Sequence, residues 1–274
     1  MSNNYFTFLD QKVHYQYFLG DTSNAIIVLI HGLGEHSGRY ELWARKFNAY
    51  NYGVCALDLP GHGLSNGKRG YIYKFSDFYK VIDSFLEQVK LDFPNKPLIL
   101  YGHSMGGNIL SNYVLKRKPQ VKAIVLSSPW FKLAVKPNAF KYFLGKLMHK
   151  IYPEFHDKTN LNPNFISRIP EEVEKYKTDK LVHGRITPAL FFPLYIKGMK
   201  MVERAKEFYL PTLVFHGSGD NLTSHEASKK FASGNDKIDF LSIEGGFHEL
   251  HHDLGRDELF EKIIDWLAVH VVMR

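Results

Sequence analysis

One cysteine, Cys55, stands in a chain of 274 residues, so no disulfide can form within it and a fold stapled by covalent bridges is excluded. The thiol lies in the apolar stretch Gly-Val-Cys-Ala-Leu, where it reads as a buried strand position and not as a nucleophile. Also missing is any apolar run near the roughly 20 residues that span a bilayer. The opening residues, MSNNYFTFLDQKVHYQYFLG, lack the basic start and apolar stretch of a secretory signal. The expectation is a cytoplasmic protein in a reducing compartment, with peripheral membrane contact left open. No His or Cys pair has metal-ligand spacing and there is no glycine-rich phosphate loop, so no metal and no cofactor is implied. Internal repeats and low-complexity tracts are absent too.

What is present suits a globular core. Hydrophobic residues make up 45% and charged residues 23% of the chain, and the length fits one catalytic domain carrying an insertion. The net charge of +7 is confined to one place. Residues 131 to 210 hold 15 Lys and Arg against 8 Asp and Glu, which leaves 20 against 20 elsewhere. A neutral remainder without a nucleic-acid motif argues against a nucleic-acid partner.

The first residues read as an antiparallel hairpin, with strands Tyr5 to Phe8 and Val13 to Phe18 around Asp10-Gln11. Compact apolar strands follow at Ala25 to Ile30, Val54 to Leu57, Leu98 to Tyr101 and Ala123 to Leu126. Segments of helical spacing separate them, such as Phe78, Ile82, Phe85 and Val89. This alternation predicts an α/β fold with a mostly parallel central sheet flanked by helices. It stops at Ser127-Ser128-Pro129 and resumes at the strand Thr212 to His216, followed by a strand at Ile238 to Ile243 and a last helix from Asp257. The expected organisation is a core from 1 to 128, an inserted helical cap from 129 to 210, and the rest of the core from 211 to 274. From Asn138 the insertion reads as an amphipathic helix, with Phe140, Leu144, Leu147 and Ile151 on one face and Lys141, Lys146 and Lys150 beside it.

Gly102-His103-Ser104-Met105-Gly106 matches G-x-S-x-G directly after a strand and before a helical stretch, the context of a nucleophile elbow. A serine hydroxyl needs a base, and the base needs a carboxylate. In the α/β-hydrolase order of Ser, acid, His, the candidates are Asp220 in Gly217-Ser218-Gly219-Asp220 and His248 in Glu244-Gly245-Gly246-Phe247-His248, each in the loop after a strand. Rivals are His251 and His252 for the base, and Asp236 and Asp239 for the acid. Oxyanion donors are expected from the backbone of Met105 and of Leu33, the latter in the glycine-bearing loop His31-Gly32-Leu33-Gly34. Asp58, His31, His62 and His103 read as structural.

Five motifs in order, HGLGEHSGRY (31 to 40), DLPGHGLSNGKRG (58 to 70), GHSMGG (102 to 107), HGSGDNLTS (216 to 224) and EGGFHELHHDL (244 to 254), resemble those of monoacylglycerol lipases. The likeness runs from about Ile26 to the last helix and takes in DKLVHGRIT (179 to 187). The resemblance implies the α/β-hydrolase fold, a cap over an acyl channel, and cleavage of glycerol esters bearing one fatty chain. It also implies that Glu35, Arg39 and His251 line the glycerol end. The acyl chain is then expected along Phe140, Phe143, Leu144 and Leu147 of the insertion, and its basic excess points to an anionic membrane surface as a partner. Lysophospholipases and serine aminopeptidases share many of these features, and a non-catalytic lipid-binding homologue would lack a triad member.

Overall fold

In β3 (Ala25–Ile30), Ala25, Ile27 and Leu29 join one buried apolar cluster while Ile26, Val28 and Ile30 join another, as the two-residue period of a strand requires. That strand sits inside a sheet covered on both faces, in a computed structural model that describes residues 4–159 and 161–271. The other strands are β1 (Asn4–Phe8), β2 (Gln11–Phe18), β4 (Tyr52–Leu57), β5 (Leu98–His103), β6 (Ala123–Ser127), β9 (Thr212–Gly217) and β10 (Ile238–Ile243), in the spatial order β1-β2-β4-β3-β5-β6-β9-β10. From β4 to β10 every pairing is parallel, and only the β1–β2 hairpin and its junction with β4 are antiparallel. This is the mostly parallel sheet, flanked by helices, that the alternating pattern predicted.

Helices α1 (Glu41–Ala49) and α8 (Arg256–Val271) cover one face, burying Trp43, Phe47, Phe260 and Ile263. On the other face lie α2 (Phe75–Asp92), α3 (Met105–Arg117) and α7 (His225–Ala232), with Phe78, Phe85, Ile109 and Phe231 in the core. Each of these large side chains, taken wholly out of water, contributes about 1.5–3 kcal/mol. Between β6 and β9 come α4 (Ala139–Ile151), the short pair β7 (Asp157–Lys158) and β8 (Arg185–Ile186), α5 (Pro170–Thr178) and α6 (Pro188–Glu203). Asn138 caps α4 as its position suggests, its side chain accepting from the amides of Phe140 and Lys141. The apolar stripe on α6 serves two purposes. Leu190, Leu194 and Met201 belong to the core, while Phe191 and Phe192 face a cavity above the sheet. Among the described residues, no helix is long and apolar enough to cross a membrane.

Candidate active site

Strand β5 ends at His103, and the chain then turns into α3 through Ser104 at φ +50°, ψ −113°. A residue with a Cβ in this region costs about 1–3 kcal/mol, a strain maintained only where the surroundings fix it. Here they do. The Ser104 amide donates to the Ser127 carbonyl at 2.9 Å, and the Ser104 carbonyl accepts from Trp130 at 2.9 Å and Asn108 at 3.1 Å. The flanking glycines follow from crowding, since a Cβ on Gly102 would stand 2.8 Å from the Gly106 backbone and one on Gly106 would collide with the Ile30 carbonyl.

Asp220 follows β9 with its side chain fully buried and both carboxylate oxygens in use. Oδ1 accepts from the amides of Leu222 at 2.7 Å and Thr223 at 3.0 Å. Oδ2 accepts from His248 Nδ1 at 2.6 Å, the Thr223 hydroxyl at 2.9 Å and His216 Nε2 at 3.0 Å. Burial alone would raise this carboxyl, but His248 and His216 hold it well below the usual carboxylate range. Burial in turn depresses His248, and the Asp220 charge outweighs that, so its imidazole titrates above an ordinary histidine.

The structure therefore pairs Asp220 with His248 and not with the rivals. His252 is held by Glu249 at 3.0 Å and by the Arg39 carbonyl at 3.0 Å. His251 stacks on Tyr40 with ring centroids 4.6 Å apart. Asp239 accepts from Trp266 Nε1 at 2.6 Å, at the far edge of the sheet. Asp58 orders its turn, accepting from the amides of Ser37 and Leu64 and from His14. His216 and Thr223 are partners of Asp220 that the sequence reading missed. The spacing of His216 in His-Gly-Ser-Gly-Asp, four residues before the acid, was the available signal.

Ser104, His103, Leu33, Glu35, His248 and Glu249 share the wall of one cavity of about 730 Å³. Its apolar part is built from Trp130, Leu133, Ile166, Ile186, Phe191 and Phe192. Neither the Leu33 nor the Met105 amide has an acceptor among the described residues, and Met105 as the first residue of α3 has none within the helix. Met105 directly follows Ser104, and Leu33 shares the cavity wall with it.

Two expectations for the substrate-binding side chains are corrected. Phe140, Phe143, Leu144 and Leu147 do not line the cavity. They lie on the solvent face of α4, Phe140 at 74% exposed and Phe143 at 66%. At 100° per residue they fall opposite Asn138, Lys141, Tyr142 and Gly145, the residues that do face the cavity. Tyr142 and His149 pack on Phe192 of α6, so the helix is seated by its mixed face and presents its apolar one outward. The second correction concerns the polar end. Glu35 lines the cavity, but its carboxylate is engaged by the Gly32 amide at 2.6 Å, the Tyr40 hydroxyl at 2.8 Å and Arg39 at 2.8 Å. Arg39 lies behind the wall, bonded through both terminal nitrogens to Glu249 at 2.7 and 2.6 Å, with Tyr176 over its guanidinium. His251 is buried beside it, and neither Arg39 nor His251 is a wall residue. Buried charges need partners, and these pairings satisfy Arg39 before any ligand could.

The profile of the family described as serine aminopeptidase, S33, matches residues 21–255. The monoacylglycerol lipase of Mycolicibacterium smegmatis is 30% identical over 264 residues, covering 95% of this chain and 94% of its own. Monoglyceride lipase of Homo sapiens is 32% identical over 256 residues, covering 90% and 83% respectively. An uncharacterized abhydrolase domain-containing protein of Dictyostelium discoideum is 33% identical over 253 residues, which cover 90% of this chain but 26% of that protein, so the chain spans about a quarter of that relative's length. Among solved structures, that of Paleococcus ferrophilus monoacylglycerol lipase superposes with a TM-score of 0.86 at 31% identity, covering 94% of this chain and 99% of its own.

Proposed function

The chain belongs to the monoacylglycerol lipases within the serine aminopeptidase S33 family, and from that premise we infer a serine ester hydrolase that cleaves monoacylglycerols to glycerol and a fatty acid. One juxtaposition carries the mechanism: a strained serine in the wall of a largely apolar cavity, sharing that wall with a histidine whose Nδ1 is committed to a buried carboxylate. An ionised Asp220 can only accept, so Nδ1 bears the proton and the Nε2 lone pair is left as the base. In this reading His248 takes the Ser104 proton as Oγ attacks the ester carbonyl. The amides of Leu33 and Met105 stabilise the oxyanion, and His248 returns the proton to the departing glycerol oxygen. Water, deprotonated by the same imidazole, then attacks the acyl carbonyl, and His248 passes that proton to Ser104 Oγ as the fatty acid is released.

The cavity volume lies within the roughly 300–1,000 Å³ of sites that enclose a small ligand, which suits one acyl chain and argues against three. Comparing catalytic efficiency on a monoacylglycerol and a lysophosphatidylcholine of the same chain tests the substrate, with Ser104→Ala as the blank. Equal or higher efficiency on the lysophospholipid would overturn it.

The outward apolar face of α4 is the second part of the proposal. Phe140, Phe143, Leu147 and Ile151 are exposed there, and Lys146 and Lys150 of the same helix are exposed beside them. An apolar face bordered by lysines at a lipid-binding cavity suits an anionic bilayer, each lysine near its surface contributing about 1 kcal/mol. On this reading the segment from 129 to 210 is a cap that takes its substrate from the membrane.

A further inference from the structure

The Asp220 carboxylate serves two imidazoles. His248 Nδ1 and His216 Nε2 both reach Oδ2, at 2.6 and 3.0 Å, and all three groups are buried. An ionised carboxylate cannot donate, so His216 must carry its proton on Nε2. Burial pushes the His216 imidazole below the ordinary histidine range, more than the Asp220 charge raises it, so the ring is neutral. A neutral ring protonated on Nε2 has its lone pair on Nδ1, and the Ser228 hydroxyl stands 2.8 Å from that atom, where it donates. Every role in the chain Ser228, His216, Asp220, His248 is thereby fixed. Ser228 lies on α7 and His216 on β9, so the acid is referenced to two elements of the rigid core as well as to its own loop.

We propose that His216 is a positioning residue of the reaction: held as its Nε2–H tautomer by Ser228, it fixes the orientation of the Asp220 carboxylate and shares its negative charge with His248. The inference rests on the reading of Asp220 and His248 as acid and base. A carboxylate oxygen divided among three donors is a weaker acceptor for each, so His216 and Thr223 both moderate the pull that Asp220 exerts on the His248 proton. Without His216 that pull grows, and the imidazolium of His248 is stabilised. The other titratable groups around His248 are Glu35, Glu249 and His103, the last with its ring 4.8 Å away. Against His216 itself stands His225 of α7, with ring centroids 5.8 Å apart.

The test is the pH profile of kcat/KM on a soluble short-chain ester for the wild type and for His216→Leu, His216→Gln and Ser228→Ala. In His216→Leu the acid limb is expected to move to higher pH, with kcat/KM at its optimum down about ten- to a hundredfold, as for a lost hydrogen bond to a charged group. His216→Gln, whose amide can still donate to Oδ2, is expected to restore the wild-type limb and most of the rate. Ser228→Ala removes one hydroxyl and leaves the packing intact, so it reads the same effect in smaller measure if His216→Leu does not fold. An acid limb unmoved in both Leu and Ala variants, or an equal loss in Gln and Leu, overturns the proposal. Labelling of the wild type with a fluorophosphonate separates the two levels. An unlabelled Ser104 removes the mechanistic reading and this inference with it, whereas a labelled Ser104 with unmoved limbs removes this inference alone.

Discussion

The backbones of Gly34 and His183 meet: the His183 amide donates to the Gly34 carbonyl at 2.8 Å, and a Cβ on Gly34 would run into the His183 carbonyl oxygen. This ties the loop that carries Leu33 to the segment over the cavity, 149 residues further on. Gly34 also has φ +77°, which a side chain adopts at a cost of about 1–2 kcal/mol. Gly34→Ala is therefore expected to lower the melting temperature and to reduce turnover of even a short soluble ester. Wild-type values for both would show that the contact is dispensable.

Ser104→Ala should reduce ester hydrolysis by about four orders of magnitude or more while leaving the fold intact, because triad members act as a unit. His248→Ala should do likewise, and Asp220→Asn should cost roughly four orders by permitting the wrong imidazole tautomer. Asp239→Asn, whose carboxylate meets Trp266 and His270 at the sheet edge, should keep most of the activity. An equal loss in Asp239→Asn, with Asp220→Asn unaffected, would reverse the assignment of the acid.

Since Asp220 raises His248 above 6.5, the acid limb of kcat/KM should fall at a pH above that value. The sign follows from the base, which must be neutral: below its pKa the imidazolium cannot accept the Ser104 proton. A plateau extending down to pH 6 would show that Asp220 does not charge-stabilise His248.

Arg39 neutralises Glu35 and Glu249 where all three side chains are buried. Arg39→Met is expected to cost about 3–5 kcal/mol by leaving two buried carboxylates uncompensated. Burial raises both glutamates, but Arg39 outweighs it and holds them below their ordinary 4.5. The stability they contribute is thus fully present above pH 4.5 and lost as the pH falls through their lowered values. Urea unfolding at neutral and acidic pH should show the gap between variant and wild type narrowing with acidification. A gap independent of pH would mean that Arg39 acts by packing alone.

Phe143→Ser with Leu147→Ser removes apolar surface from the outward face of α4 without touching the cavity wall. Sedimentation with anionic vesicles should fall severalfold, and hydrolysis of a soluble ester should not change. Binding that is equal on neutral and anionic vesicles, or insensitive to these substitutions, would reject docking through this face.

The sequence by itself determined the order of strands and helices, because apolar period and glycine-bearing turns are local properties: β3, β5 and α2 were legible from their own residues. It also singled out Ser104, Asp220 and His248, since a nucleophile elbow and two post-strand loops are positions in the chain as much as in space. Which way α4 faces was not legible. Its pattern shows that Phe140, Phe143, Leu144 and Leu147 share a side, but which side meets α6 depends on Phe192 and Tyr195, some 50 residues away. Likewise only the fold brings Glu249 against Arg39, committing to a buried ion pair a guanidinium that the sequence leaves free for a ligand. The physical reason is the same in both cases. A residue's partners across the fold decide whether its chemistry is available, and those partners are fixed by packing of segments distant along the chain.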